Sequence, residues 1–198
     1  MALYVQGSTV IGVKVGDGVV LAADKTFNLG NLVISNKAKK VHLIDDRIAI
    51  GAAWMYADSQ ALTSIIRREL EYYKLTTKTP LTVKGVSLLV SRILYSSKLL
   101  PYLTEILIGG IDKTGSHLYV LDSLGGMSEE SYAALGTGAT IALGVLEEKY
   151  REKASIEEAE KLVLDSIKAA TKRDSASGGG VDIIVIGTEG VKEYSETL

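Results

Sequence analysis

Residues 6–25 read QGSTVIGVKVGDGVVLAADK. Two apolar runs, Thr9 to Val15 and Val19 to Asp24, flank Gly16-Asp17-Gly18. Short alternating runs joined by so tight a turn signal predict an antiparallel hairpin. A hydroxyl residue, Ser8, heads the first run behind Gly7, with only seven residues before it. A stub of that size cannot fold by itself. It is either a plain overhang or a segment whose removal exposes a second N-terminus at Ser8.

Working outward, strand-like runs continue at NLVIS (31–35), KKVHLI (39–44) and RIAIGAA (47–53), with Asp45-Asp46 as a turn. Period two in KKVHLI puts Lys40, His42 and Ile44 on one face and Val41 and Leu43 on the other. The period then changes. Between Asp58 and Tyr73, Ala61, Leu62, Ile65, Ile66, Leu70 and Tyr73 form one helical stripe, with Arg67, Arg68 and Glu71 off it. A second helix is predicted from about Thr82 to Tyr95, after Pro80. Strands resume at LTEILIGGID, SHLYVLDS and SYAALG, and two helices follow. The second of these opens on Ser155-Ile156-Glu157-Glu158, a capping-box pattern, and runs to about Lys172. VDIIVIG and VKEYS close the chain as strands.

The blocks are five strands, two helices, three strands, two helices and two strands. Block order with short turns is antiparallel and excludes the βαβ alternation of a parallel sheet. The expected fold is α+β: two antiparallel sheets face to face, each covered on its outer side by a helix pair, in a single domain over residues 8–198.

Composition narrows the function classes. The 198 residues carry a net charge of -2 and no cysteine. Disulfides, thiol catalysis and cysteine metal sites are thereby excluded. Near-neutral charge argues against nucleic acid as an obligate partner. No apolar run reaches the length of a membrane span, and MALYVQG lacks a signal-peptide pattern, so a cytoplasmic protein is expected. His42 and His117 lie in separate strands and read as structural. The glycine-rich stretches LGTGATIALG and SASGGG lack the spacing of a phosphate loop. No cofactor or metal is implied.

Ser8 remains. A hydroxyl residue exposed as the first of a chain has its own base in the free α-amino group. A neighbouring lysine favours the developing anion, and an aspartate orients that lysine. Asp24 and Lys40 could supply this pair, although taken alone they read more readily as a strand-end ion pair.

Read together, STVIGVKVGDGVVLAADK, KKVHLIDDRIA, ADSQ, ILIGGID, GTG and KRDSASGGGVDI resemble, in order from Ser8 to Ile186, the β-type subunits of the archaeal proteasome core particle. The resemblance implies the four-layer αββα sandwich of the N-terminal-nucleophile hydrolases. It also implies stacked seven-membered rings of α and β subunits, a regulatory ATPase complex docked on the α rings, and unfolded proteins as substrates. By position, Ser8 takes the nucleophile place, normally threonine, with Asp24 and Lys40 activating it. Thr137, Asp174 and Ser177 take the supporting places around the amino group. Gly7 precedes the cut, which makes Met1 to Gly7 a propeptide.

Four positions depart from the family pattern. Ser8 replaces threonine and lacks the methyl that helps hold the hydroxyl rotamer. Trp54 stands where a glycine N–H forms the oxyanion hole; the indole is expected to fill the groove or shift that amide. Thr26 replaces an arginine, and Ala57 a glycine before Asp58. Two functions follow. The favoured one is a weakly active or non-catalytic, assembly-supporting β subunit paired with an active paralogue. The other is an endopeptidase subunit autoprocessed after Gly7. A bacterial-type peptidase of the same fold, forming six-membered rings, is disfavoured by KRDSASGGG.

Overall fold

The computed structural model describes residues 7–198; most of the expected propeptide, residues 1–6, lies outside the described residues. Six strands come first: β1 (Val10–Val15), β2 (Gly18–Asp24), β3 (Phe27–Leu29), β4 (Leu32–Ser35), β5 (Val41–Asp45) and β6 (Ile48–Trp54). Helices α1 (Tyr56–Thr77) and α2 (Val83–Ser96) follow. Then come β7 (Thr104–Asp112), β8 (Gly115–Leu121), β9 (Met127–Glu129) and β10 (Tyr132–Leu135). Helices α3 (Ala139–Lys149) and α4 (Ile156–Thr171) precede the closing strands β11 (Val181–Gly187) and β12 (Gly190–Glu196).

All pairings are antiparallel. One five-stranded sheet has the order β10-β1-β2-β11-β12, the other β5-β6-β7-β8-β9, and β3-β4 form a separate hairpin. Alternation sorts the side chains into three cores. Ile11, Val13, Val20, Ala22 and Ile183 face α3 and α4, meeting Leu146, Val163 and Ile167. Ile48, Ile50, Ile106 and Ile108 face α1 and α2, meeting Leu62, Ile66, Val86 and Val90. Val10, Val19, Leu21, Ala49, Leu107, Leu118 and Ile184 lie between the sheets. Because both faces of each central strand are covered, these strands read as unbroken apolar runs. This is the αββα sandwich.

The predicted elements differ from the observed ones where tertiary pairing decides. β3 and β9 were not expected; at three residues each they are too short to show a period and exist through pairing with β4 and β8. α1 exceeds the predicted 58–73 at both ends and stops only where Lys78 turns left-handed, with φ 59. A register shift between Leu43 and Asp45 pairs Asp45 with Ile48, which moves the expected turn to Asp46-Arg47. Lys40 escapes the predicted alternation because it precedes β5, and its ammonium reaches Asp24 of the other sheet. The capping box of α4 has both halves: Ser155 Oγ accepts Glu158 N–H at 3.3 Å, and Ser155 N–H donates to Glu158 Oε2 at 2.8 Å.

The sheets approach closely through small residues. A Cβ on Gly12 would lie 2.8 Å from Leu118 Cδ1 and 2.9 Å from Leu21 Cδ2. Overpacking of this kind costs about 1–3 kcal/mol. Gly12→Ala is therefore expected to lower the urea midpoint by that equivalent, while Gly16→Ala, at a position with open space around it, leaves the midpoint within about 0.5 kcal/mol.

Candidate active site

The site lies where the first strands of the two sheets come together. Asp24, at the end of β2, is fully buried and accepts four hydrogen bonds. Its Oδ1 takes Thr9 N–H at 2.9 Å and Lys40 Nζ at 2.7 Å. Its Oδ2 takes Thr26 N–H and Gly178 N–H, each at 3.0 Å. These four donors fill the lone-pair capacity of a carboxylate. Burial holds the Lys40 amine below the ordinary lysine value, while Asp24 and, more weakly, Asp174 pull it back up. A lysine in that setting can exchange protons with a neighbouring nucleophile more readily than one in water.

Ser8 sits just ahead of β1 and is 1% exposed. Its N–H donates to Thr137 Oγ1 at 3.2 Å, and Thr137 in turn donates to Asp174 Oδ2 at 2.7 Å. Ser177 Oγ donates to the same carboxylate oxygen at 2.6 Å. With its proton so committed, Ser177 accepts from Thr9 Oγ1 at 2.8 Å. The carboxylate of Asp174 thus orders the hydroxyls of Thr137, Ser177 and Thr9 around the start of β1. Glycines make this closeness possible: a Cβ on Gly136, whose φ is 88, would lie 2.8 Å from Ser8 Oγ.

Trp54 closes β6 with φ 75, in the left-handed region. For a non-glycine residue that conformation costs about 1–2 kcal/mol. The strand ladder and the following turn hold it there, with Trp54 registered against Thr104 and Met55 N–H bound to Leu103 O at 2.9 Å. The result is that Trp54 N–H points at Ser8 Oγ, 3.3 Å away. The expected shift of this amide is not seen. The indole itself is partly buried against the core between the sheets.

The structure thus brings Ser8, Asp24, Lys40, Thr137, Asp174, Ser177, Gly7 and Trp54 to one place. Thr26 joins through its backbone N–H, which any residue could supply. Ala57 is exposed on the first turn of α1. The histidines stand apart: His42 is half-buried in β5, and His117 is bound by Glu129 at 2.7 Å and by Thr114 at 2.7 Å on the β7–β8 hairpin. Sequence reasoning missed Thr9 and Asn28. Thr9 adjoins Ser8, which was a usable signal; the donation of Asn28 Nδ2 to Ala176 O at 2.8 Å had none. Among the described residues no cluster of His, Asp or Glu is placed to hold a metal ion, and no helix is long and apolar enough to cross a membrane.

A hydroxyl at the head of β1 in an αββα sandwich, with a buried lysine–aspartate pair beside it, defines the N-terminal-nucleophile hydrolase class. The family described as "Proteasome subunit" matches residues 4–186. Among curated relatives, Proteasome subunit beta 2 of Pyrobaculum arsenaticum is 44% identical over 94% of this chain and 92% of its own length. Proteasome subunit beta 1 of Ignicoccus hospitalis is 43% identical over 91% and 90%. Proteasome subunit beta 1 of Hyperthermus butylicus is 42% identical over 98% and 97%. The chain belongs to the proteasome subunit family, as a β-type subunit of the archaeal kind of 20S core particle. The complexes this family forms are threonine-type proteases.

Removing one partner of a buried ion pair strands the other, at a cost of about 3–5 kcal/mol. Lys40→Met is expected to destabilise the subunit by that amount in urea unfolding. Adding Asp24→Asn should then cost less than it does in the wild type, because the charge it removes is already unpaired. Strictly additive losses would mean that the two groups are not coupled.

Proposed function

We propose that this chain fills a β position in the core particle as an assembly-supporting subunit of weak intrinsic activity, beside an active paralogue. The observation that carries the reading is Trp54: the bulkiest side chain occupies a backbone conformation suited to glycine, on the residue whose N–H reaches the Ser8 hydroxyl. Glycine there would let a substrate backbone approach closely. In this reading residues 1–7 are a propeptide and 8–198 the subunit body. Its neighbours are α subunits and other β subunits in stacked seven-membered rings. A regulatory ATPase complex acts through the α rings, unfolded proteins are the substrates, and the cytoplasm is the compartment.

Two observations favour the second reading, an autoprocessed endopeptidase: Trp54 N–H lies 3.3 Å from Ser8 Oγ, and Lys40 is paired with the buried Asp24 at 2.7 Å. In that chemistry Ser8 Oγ bonds to the Gly7 carbonyl carbon, and the oxyanion accepts from Trp54 N–H. Collapse breaks the Gly7–Ser8 C–N bond, and the hydroxyl proton ends on the Ser8 nitrogen. Water then hydrolyses the ester, leaving a Gly7 carboxylate and a free Ser8 amine. Asp174, Thr137 and Ser177 would hold that amine.

The two readings separate in core particles whose other β subunits are inactivated, by intact mass and fluorogenic-peptide hydrolysis. The wild-type chain should keep most of its stub and hydrolyse slowly. Trp54→Gly should raise both rates about tenfold or more, equivalent to at least ~1.4 kcal/mol of barrier. Complete removal of Met1 to Gly7 with brisk wild-type hydrolysis would instead establish the autoprocessed endopeptidase.

A further inference from the structure

Gly7 is wedged against its surroundings. A Cβ placed on it would lie 2.7 Å from Thr137 Oγ1, 3.3 Å from Ala176 Cα and far inside contact with Ala176 Cβ. Neither neighbour can withdraw easily. Thr137 Oγ1 is tied to Asp174 at 2.7 Å. Ala176 is tied at both of its backbone polar groups: its N–H donates to Asp174 Oδ1 at 3.2 Å, and its carbonyl accepts Asn28 Nδ2 at 2.8 Å. Asn28 is itself buried, so the donor end of this tether is shielded from water, while Ala176 is half-buried. A methyl group has no rotamer through which to escape. The collision therefore involves a fixed stub of side chain rather than the end of a flexible one.

We infer that Ala176 is a specificity determinant for self-cleavage: its methyl, pinned by Asp174 and Asn28, admits only glycine at position 7 and so sets the Gly7 carbonyl beside Ser8 Oγ. The inference rests on the reading that the Gly7–Ser8 bond is the one cut. It differs from a general demand for a flexible residue before the nucleophile, because it names one partner whose shortening should lift the restriction. Asn28 acts through Ala176 as a positioning residue.

The test uses two readouts on assembled particles. In the uncut Ser8→Ala subunit, Gly7→Ala should lower the melting temperature by roughly 3–8 °C, and adding Ala176→Gly should recover part of that shift, the contact with Thr137 Oγ1 remaining. In subunits carrying Ser8 and Trp54→Gly, the cut is followed by intact mass. There Gly7→Ala should slow cleavage about tenfold or more, and adding Ala176→Gly should raise the rate again by about threefold or more, whereas Ala176→Gly beside an unchanged Gly7 should leave it within about twofold. Cleavage of the Trp54→Gly chain at an unchanged rate with Gly7→Ala overturns the inference and leaves the cut site standing. Failure of Ala176→Gly to rescue either readout overturns it as well. Absence of cleavage in every chain removes both the cut and the specificity, even if the melting shifts show that residues 7 and 176 are packed together.

Discussion

The four hydrogen bonds accepted by Asp24 are the constraint on which the rest of the site depends. They join the residue before β1, the residue before β3, the residue before β5 and the loop after α4. An isolated buried ion pair rarely repays its desolvation. Here Lys40 is one donor of four, and the three backbone N–H groups would themselves be costly to bury unpaired. The carboxylate thus fixes the relative placement of both sheets at this end. The Lys40 ammonium is consequently held at the Ser8 end of the sandwich, in surroundings dry enough to depress its proton affinity.

Asp174 plays the complementary part on the far side of Ser8. It gathers hydroxyls where Asp24 gathers amides, and its hydrogen bonds also stiffen the loop that carries Ala176 and Ser177. Trp54 is a place where residue type and backbone disagree. Of the two described non-glycine residues with positive φ, Lys78 merely ends a helix on the surface, whereas Trp54 directs its N–H at the Ser8 hydroxyl. Strain of this sort persists only where the surrounding structure over-determines it. The β6–β7 ladder does so here, which is why the amide keeps its direction despite the indole.

Much of the architecture was legible because burial imposes periodicity. The stripe through Leu62, Ile66 and Leu70 and the alternation through Val10, Ile11 and Val13 mark a helix and a strand wherever they are packed. Ser155 and Glu158 mark a helix start by chemistry local to four residues. The site was legible in a different way: resemblance, rather than pattern, singled out Thr137, Asp174 and Ser177. What stayed hidden was tertiary. The φ of Trp54 comes from its ladder, the closeness of Gly7 to Ala176 comes from a loop some 170 positions away, and β3 and β9 come from their pairing partners.

The Asp24 arrangement also bears on synthesis. A chain is made from its N-terminus, so Ser8 and Thr9 are made well before Gly178, whose N–H is the fourth donor to Asp24. The hydroxyl shell of Asp174 and Ser177 is made almost as late. A nascent chain interrupted before this loop would carry the hydroxyl without the groups that surround it. The Ser8 hydroxyl is therefore translated about 170 residues before the last of the groups that surround it, and its environment can close only once that loop has been made.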